Sequence, residues 1–600
     1  MSRSTGQFAP DDEEAQQASV TVTAHYGTLT TPGYLPNSDS TQTSRARSEI
    51  EPLLSSAKNV SGDPVSRDWY PTSLSDGTSS KTLDGDTLGN NDDTELLFGF
   101  DSDRSWPRRW KEARVVTSYA FPILITQLLE YSLLISSVIA LGHLSTIALA
   151  ASTLGSMTAS VSGFTLIAGM ASALDSLLPQ AWGTAGGQKH LVGLWTLRMT
   201  AVVAVTLTPI YMIWHNSEGI LLSLRQDVEV ARLASLYLRW MSLSLPAYAF
   251  NFIVRKYYQS IGLLHIPTLI IIVGAPLNAA LNYILVWGPG PFSSIRLGFI
   301  GAPIATSITL NLMSLFYAYH LLSRSPPEPW FKLNGSEQVK EVFKWDALAA
   351  LIRLGVAGVG QTASQGRKLM HFILRPRDAV AASLLGPVTL ASQSVVLVSS
   401  STSYQLSLAI SSGAAVRIGN LLGSGHAVQA EVASHVSFVL IGLVSCFSSA
   451  IFLLFRHKWA YMFNGDPEVV ALVARVLPLV ALFQILDGMD NMIGTILRVT
   501  GRQFTGALLN LTGYYVLGIP LGLILTFYST QWSLGLLGLW IGLSFSLLFI
   551  ALLGTWYCLQ TDWSAEVERV RLRLKTGEDE GLGRLNLDGD DGNERIVYEN

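Results

Sequence analysis

Residues Pro478 to Phe527 read PLVALFQILDGMDNMIGTILRVTGRQFTGALLNLTGYYVLGIPLGLILTF. Two apolar runs lie here, each near the roughly 20 residues a helix needs to cross a bilayer. A short polar turn, Arg498 to Gln503, joins them. The first run carries Asp487 and Asp490 at depths where a charge is costly. An ionisable group inside a membrane span is a functional site by default. The remainder of the chain reads as a scaffold holding that carboxylate beside a path across the membrane.

Composition supports this reading. The chain has 600 residues, 49% of them hydrophobic and 14% charged, where a soluble protein carries about 25% charged. The charges concentrate at the two ends, so residues 113 to 558 are expected to form an all-α membrane domain. The formal net charge of −4 is small, and nothing suggests nucleic-acid binding. Cys446 and Cys558 lack the spacing of a disulfide framework or a metal site. No enzyme motif stands out, and the glycine-rich turns sit between membrane runs, not in a strand–loop–helix phosphate setting. The first residues contain no apolar h-region, so the first span is expected to serve as the targeting signal.

Residues 1–112 are rich in Ser, Thr, Asp, Gly and Pro, and are expected to form a disordered cytoplasmic tail. Within it, Glu49 to Leu54 has the pattern of an acidic dileucine sorting signal, which favours a vacuolar membrane over the plasma membrane. The tail ends in a basic, Trp-bearing segment, Arg104 to Arg114, against the first span. Apolar runs follow to give twelve expected spans: a six-helix lobe over 113–323, a cytoplasmic linker over 324–345, and a second six-helix lobe over 346–558. A solvated cytoplasmic tail is expected over 559–600. Lys189, Arg255 with Lys256, Arg324 to Lys344, Arg417, and Arg498 with Arg502 are read as loop charges on the side of the N-terminus, which the positive-inside rule makes cytoplasmic, with Arg456 and Lys458 as the main exception.

The two halves repeat. Leu297 to Ser307 matches Leu534 to Ser544, Gln180 to Gly186 parallels Asn420 to Gly425, and Gly262 parallels Gly501. The spacings are 237, 240 and 239 residues. Six spans per half means both halves insert the same way, as parallel repeats about an axis along the membrane normal, with the solute path between them.

Four carboxylates lie in or at the edge of spans: Glu130, Asp175, Asp487 and Asp490. Burial raises a carboxyl pKa, so such a group can take a proton on one side of the membrane and release it on the other. Asp487 is the leading coupling candidate. Asp490, three residues on, shares its helix side. Glu130 sits mid-span with Gln127 one turn earlier. Asp175 reads as helix-end architecture, and Asn510, Tyr514 and Tyr515 as cavity-lining or packing groups.

Four segments resemble signatures of the multidrug and toxin extrusion (MATE) transporter family in its eukaryotic, fungal-like branch. They are Gly169 to Gly183, Ala414 to Gly423, Leu497 to Gln503 and Gly513 to Pro520, in the family's order. The resemblance implies twelve helices in two lobes moving by alternating access. It implies export of organic cations, xenobiotics or metabolites in exchange for protons, or for Na⁺, with no cofactor. It also places the acidic residue of span ten on Asp487. The expected partners are a small-molecule substrate and the lipid bilayer, and the expected state is a monomer.

One segment departs from that pattern. The family usually has a Glu-Trp-Trp-type stretch in span seven, whereas Gln365 stands near the Glu position here. Arg367, Lys368, Arg375, Arg377 and Asp378 follow, and five charges would cost on the order of 10 kcal/mol across a bilayer. Three readings stay open: a splice or gene-model replacement of the span, a divergent span lining a cavity, or a transport-inactive protein. A lipid-linked substrate flippase of a related superfamily is a further functional alternative.

Overall fold

The computed structural model describes residues 106–184, 188–224, 226–330, 340–364, 387–463, 466–528 and 535–582. The expected N-terminal tail with its dileucine pattern, and the departure from Gln365 to Asp378, lie outside the described residues. Among the described residues the chain is helical, with no strand.

Among the described residues, eleven helices are long and apolar enough to cross a membrane. In chain order, with the fourth place included, they are α1 (Trp106–Gly142), α2 (Ile147–Gly183), α3 (Gln188–His215), α4 (228–260), α5 (His265–Trp287), α6 (Gly298–Arg324), α7 (Trp345–Ser364), α8 (Pro387–Gly423), α9 (Ala427–Phe455), α10 (Pro467–Val499), α11 (Gln503–Thr526) and α12 (Leu536–Leu559). Helix α4 falls outside the eleven because a 3₁₀ turn at Ser242–Ser244 divides it into Val228–Met241 and Leu245–Ser260. It also carries Arg232, Arg239, Arg255 and Lys256. The twelve helices form the two expected lobes, α1–α6 and α7–α12.

The internal repeat is visible in the backbone. Gly262 and Gly501, paired by sequence, both adopt a left-handed conformation (φ 80° and 75°), and so do Gly298 and Gly535 (φ 61° and 52°). These are turns that an L side chain resists. The lobes also meet through repeat-equivalent residues. A Cβ on Gly183 would overlap the carbonyl oxygen of Asn420, and one on Gly423 would overlap the carbonyl oxygen of Gln180. Gln180 and Gly183 are the counterparts of Asn420 and Gly423, so each half presents the same patch to the other, as a two-fold contact requires. Glycine at these positions lets two backbones touch. Gly169 against Val359 and Gly413 against Ala120 extend the contact, pairing α2 with α7 and α8 with α1.

These cross-lobe contacts gather toward the end of the bundle that holds the start of α1 and the end of α12, here termed the terminal face. One polar pair reinforces them: Arg417 of α8 grips Glu112 of α1 through two hydrogen bonds of 2.7 and 2.8 Å.

Three sequence expectations change. Arg255 and Lys256 are not loop residues but lie within the helix Leu245–Ser260, because the chain turns only at Gly262 and each cation has a carboxylate beside it. Arg417 is likewise inside α8, held by Glu112, and Arg498 lies in the last turn of α10. The segment after Thr561 is not a solvated tail throughout. Helix α13 (Trp563–Leu582) docks on the terminal face with Trp563, Val570 and Leu574 buried. Those positions recur on one side of a helix, and the Asp562 side chain caps its start by accepting from Ser564 N and Ala565 N.

Candidate substrate and coupling site

Asp487 and Asp490 project from α10. The helix is well started, with Pro467 at its first turn and Asp466 accepting from Glu468 N. Both carboxylates are buried, at 4% and 3% exposure. Asp487 is twelve residues before the helix end, roughly 18 Å from the terminal face. The surrounding wall is polar. Ser400, Ser403, Ser407 and Ser411 follow one face of α8, and Ser445, Ser448 and Ser449 lie on α9, all buried. Gln484 Nε2 donates to Ser400 O at 3.3 Å, and Ser449 Oγ donates to Ala481 O at 2.6 Å. A Cβ on Gly488 would overlap Ser445 Oγ, so α10 packs directly on this serine seam. Asn491 Nδ2 donates to Asp487 O at 2.9 Å. The hydroxyls of Ser400, Ser403, Ser411 and Ser445 have no hydrogen-bond partner among the described residues. The seam therefore packs on the side of α10 that carries Ala481, Gln484 and Gly488, next in sequence to Asp487. Its spacing of three and four residues on α8 was readable in the sequence and was missed there.

Helix α11 closes the site from another side. A π turn over Thr512–Gly518 interrupts it and sets Tyr514 and Tyr515, and such turns are frequent at functional sites. Tyr514 is buried in the apolar cluster with Phe483 and Trp540, while Tyr515 is half-buried at its edge. Asn510 is buried one turn before Tyr514. Gln361 of α7 is fully buried and donates to Gly494 O of α10 at 3.1 Å, a contact that composition alone did not point to.

Glu130 belongs to a different place. It lies on α1 in the first lobe, with 32% of its side chain exposed, and forms an ion pair with the buried Arg255 of α4. The Arg255 guanidinium also lies over the Phe252 ring. Gln127, one turn earlier on α1, is half-buried. The sequence candidates thus separate into a second-lobe group, Asp487 and Asp490, and a first-lobe pair, Glu130 with Arg255.

Asp175 bridges the lobes. A break in α2 ends one helical segment at Ala171 and starts the next at Leu174, which puts Asp175 in a helical first turn, where the dipole favours an anion. Its carboxylate takes Lys256 Nζ of α4 at 2.6 Å and Arg498 Nε of α10 at 3.5 Å. A narrow crevice beside it is lined by Pro179, Lys256 and Gln259 of the first lobe and by Ser412, Ala415 and Val416 of the second. The helix-end reading of Asp175 missed this link. Arg498 is more than three hundred residues away, and no local signal identifies it as the partner.

Comparisons with known proteins agree with this architecture. The MatE family model matches residues 122–284 and 373–524. An uncharacterized transporter of Schizosaccharomyces pombe is 35% identical over 527 residues, covering 87% of this chain and 92% of its own length. Multidrug and toxin extrusion protein 2 of Mus musculus is 30% identical, with 78% of each chain covered. Among solved structures, the eukaryotic MATE transporter AtDTX14 superposes with a TM-score of 0.68 at 25% identity, over 78% of this chain and all of that one. With its two six-helix lobes, buried span carboxylates and these matches along most of its membrane region, the chain is an integral membrane protein of the multidrug and toxin extrusion family, a transporter and not an enzyme.

Proposed function

We propose that this protein exports small organic cations or metabolites by alternating access, in exchange for protons, with Asp487 as the principal coupling carboxylate. The observation that carries this reading is the burial of both Asp487 and Asp490 within the membrane-spanning helix α10 of one lobe. A carboxylate so placed has a high cost of ionisation. Either a proton or a cationic solute relieves that cost, and the two compete for the same group. Such competition is the minimal chemistry of exchange. Asp490 would share the proton or the solute charge.

Glu130 takes a secondary role in this scheme. Arg255 already supplies its counter-charge, so Glu130 serves better to hold the first-lobe wall than to carry a proton across. The clustering of cross-lobe contacts at the terminal face supports an arrangement closed on the cytoplasmic side, where the basic loops place that face. A MATE family transporter described in an outward-facing conformation shares this fold, with a TM-score of 0.63 at 18% identity. The dileucine pattern at Glu49 to Leu54 supports delivery to a vacuolar membrane, with solute moved into the lumen.

The test is exchange in vesicles. Purified protein is reconstituted, a pH gradient is imposed, and movement of ethidium is followed by fluorescence. The expected result is gradient-driven movement that Asp487→Asn abolishes while the variant still elutes as a folded monodisperse species. Undiminished movement with Asp487→Asn removes this residue from the mechanism. Movement that follows a Na⁺ gradient and ignores pH transfers the coupling to Na⁺.

A further inference from the structure

Helix α13 makes one set of contacts with the second lobe and a different one with the first. Its second-lobe contacts are extensive. The apolar stripe of Trp563, Val570 and Leu574 is buried. Glu566, at 1% exposure, is held by Arg502 from the turn between α10 and α11 and by Arg569 at 2.6 Å. Burial alone would lower the Arg502 guanidinium pKa, but the Glu566 carboxylate and the Tyr557 hydroxyl outweigh it and raise it. The helix is thus bolted to the second lobe.

Toward the first lobe the helix extends Arg573. Arg573 Nη1 donates to Gln180 Oε1 of α2 at 3.2 Å. The same Gln180 donates through Nε2 to Val499 O, at the end of α10, at 2.8 Å. Gln180 is fully buried, and its backbone carbonyl is the one that Gly423 packs against. Arg573 also lies against Gly501, the left-handed turn after α10, where an added Cβ would stand 3.1 Å from Nη2. One glutamine of the first lobe is therefore held from two sides by the second, at the point where the lobes touch most closely.

We propose that α13 is a latch: it rides on the second lobe, and Arg573 closes over Gln180 to hold the lobes together at the terminal face. Parting of the lobes there breaks Arg573–Gln180 and Gln180–Val499 together and leaves Glu566–Arg502 intact. The latch sets how readily the transporter opens to the cytoplasm, and so rests on the alternating-access reading. The buried Glu566, held by Arg502, keeps the helix in position to re-engage after each cycle.

The test uses the full chain in vesicles, with Cys446→Ser and Cys558→Ala as background and Val416→Cys as reporter. Val416 is buried in the crevice between the lobes beside Asp175. A membrane-impermeant maleimide is supplied only on the cytoplasmic side. Arg573→Ala is expected to speed labelling about tenfold, the effect of losing one hydrogen bond to a charged group. Arg573→Lys should restore most of the slow rate. Gln180→Ala, which also loses the bond to Val499 O, should label at least as fast as Arg573→Ala, and the double variant should be no faster than Gln180→Ala alone, since the arginine then has nothing to hold. Unchanged labelling with Arg573→Ala overturns the latch, and so does a double variant in which the two effects multiply. These outcomes are independent of exchange. Normal transport with unchanged labelling removes the latch alone, whereas faster labelling without proton-driven transport keeps the latch and removes the exchange reading.

Discussion

Replacing Arg417 by alanine tests whether the ion pair between α1 and α8 acts as a structural tie. Glu112 has 4% of its side chain exposed and Arg417 has 15%, so neither charge has much access to water. The pair is bidentate, with hydrogen bonds of 2.7 and 2.8 Å, the geometry in which guanidinium and carboxylate match best. Removing one partner of such a pair leaves the other charge buried, a cost of about 3–5 kcal/mol. Water reaching the partly open arginine side favours the lower end, near 3 kcal/mol. Replacing both charges, as in Glu112→Gln with Arg417→Met, leaves no stranded ion and should cost about 1 kcal/mol or less. The assay is equilibrium unfolding of purified protein in mixed micelles as the denaturing detergent fraction rises. The informative quantity is the coupling energy of the cycle formed by Glu112→Gln, Arg417→Met and their double. Arg417→Ala within about 0.5 kcal/mol of the parent, or a double variant no better than the single, would refute the reasoning, because Glu112 would then be finding solvent or another partner at no cost.

Two further outcomes follow from the cross-lobe geometry. Asp175→Asn should weaken the link between α4 and α10, leaving Lys256 and Arg498 without their shared counter-charge; cytoplasmic labelling of the Val416→Cys reporter should accelerate several-fold, and an unchanged rate would remove Asp175 from the closure. Gly183→Ala and Gly423→Ala should each cut transport below about a tenth while leaving the protein monodisperse, because both place a methyl group on a backbone carbonyl that cannot retreat; full transport by either variant would mean that the lobes need not come this close during the cycle.

Much of the scaffold was legible because membrane helices must satisfy their own backbone and bury apolar length. The runs, the repeat and its turn glycines follow from that constraint, and Gly262 and Gly501 have matching backbone conformations. The resemblance in the span signatures led to the same family as the comparisons. What was not legible involves partners far apart in the chain. Arg255 and Lys256 were read as loop charges because a cation near the end of an apolar run normally marks the interface. Their pairing with Glu130 and Asp175 keeps them inside the helix. Glu112 stood within the basic segment abutting the first span, and its partner lies 305 positions away. Helix α13 escaped notice for a different reason. Its stripe of Trp563, Val567, Val570 and Leu574 has helical spacing, but the charges between those residues lower the mean hydropathy of the segment.

The repeat also shows where the two lobes have diverged. At the 239-residue spacing that relates Gly262 to Gly501, Tyr248 stands for Asp487 and Asn251 for Asp490. Helix α4 thus presents neutral groups where α10 presents two carboxylates. Asn251 is fully engaged: its Nδ2 donates to Leu310 O at 3.0 Å, and its Oδ1 accepts from Ser314 Oγ at 2.8 Å. Tyr248 lies within the electrostatic reach of Glu130 and Arg255, so the first lobe meets its charge with a built-in counter-ion. The second lobe keeps two buried carboxylates on α10. Duplication therefore preserved the frame, the turns and the touching backbones, which both lobes need in order to move against each other. It did not preserve the ionisable chemistry. A single coupled exchange needs one site whose charge state changes; two equivalent titrating sites would let a proton exchange at one without committing the other. On the proposed exchange reading, that change would fall to α10. The first lobe instead holds its span charges in pairs, Glu130 with Arg255 and Asp175 with Lys256.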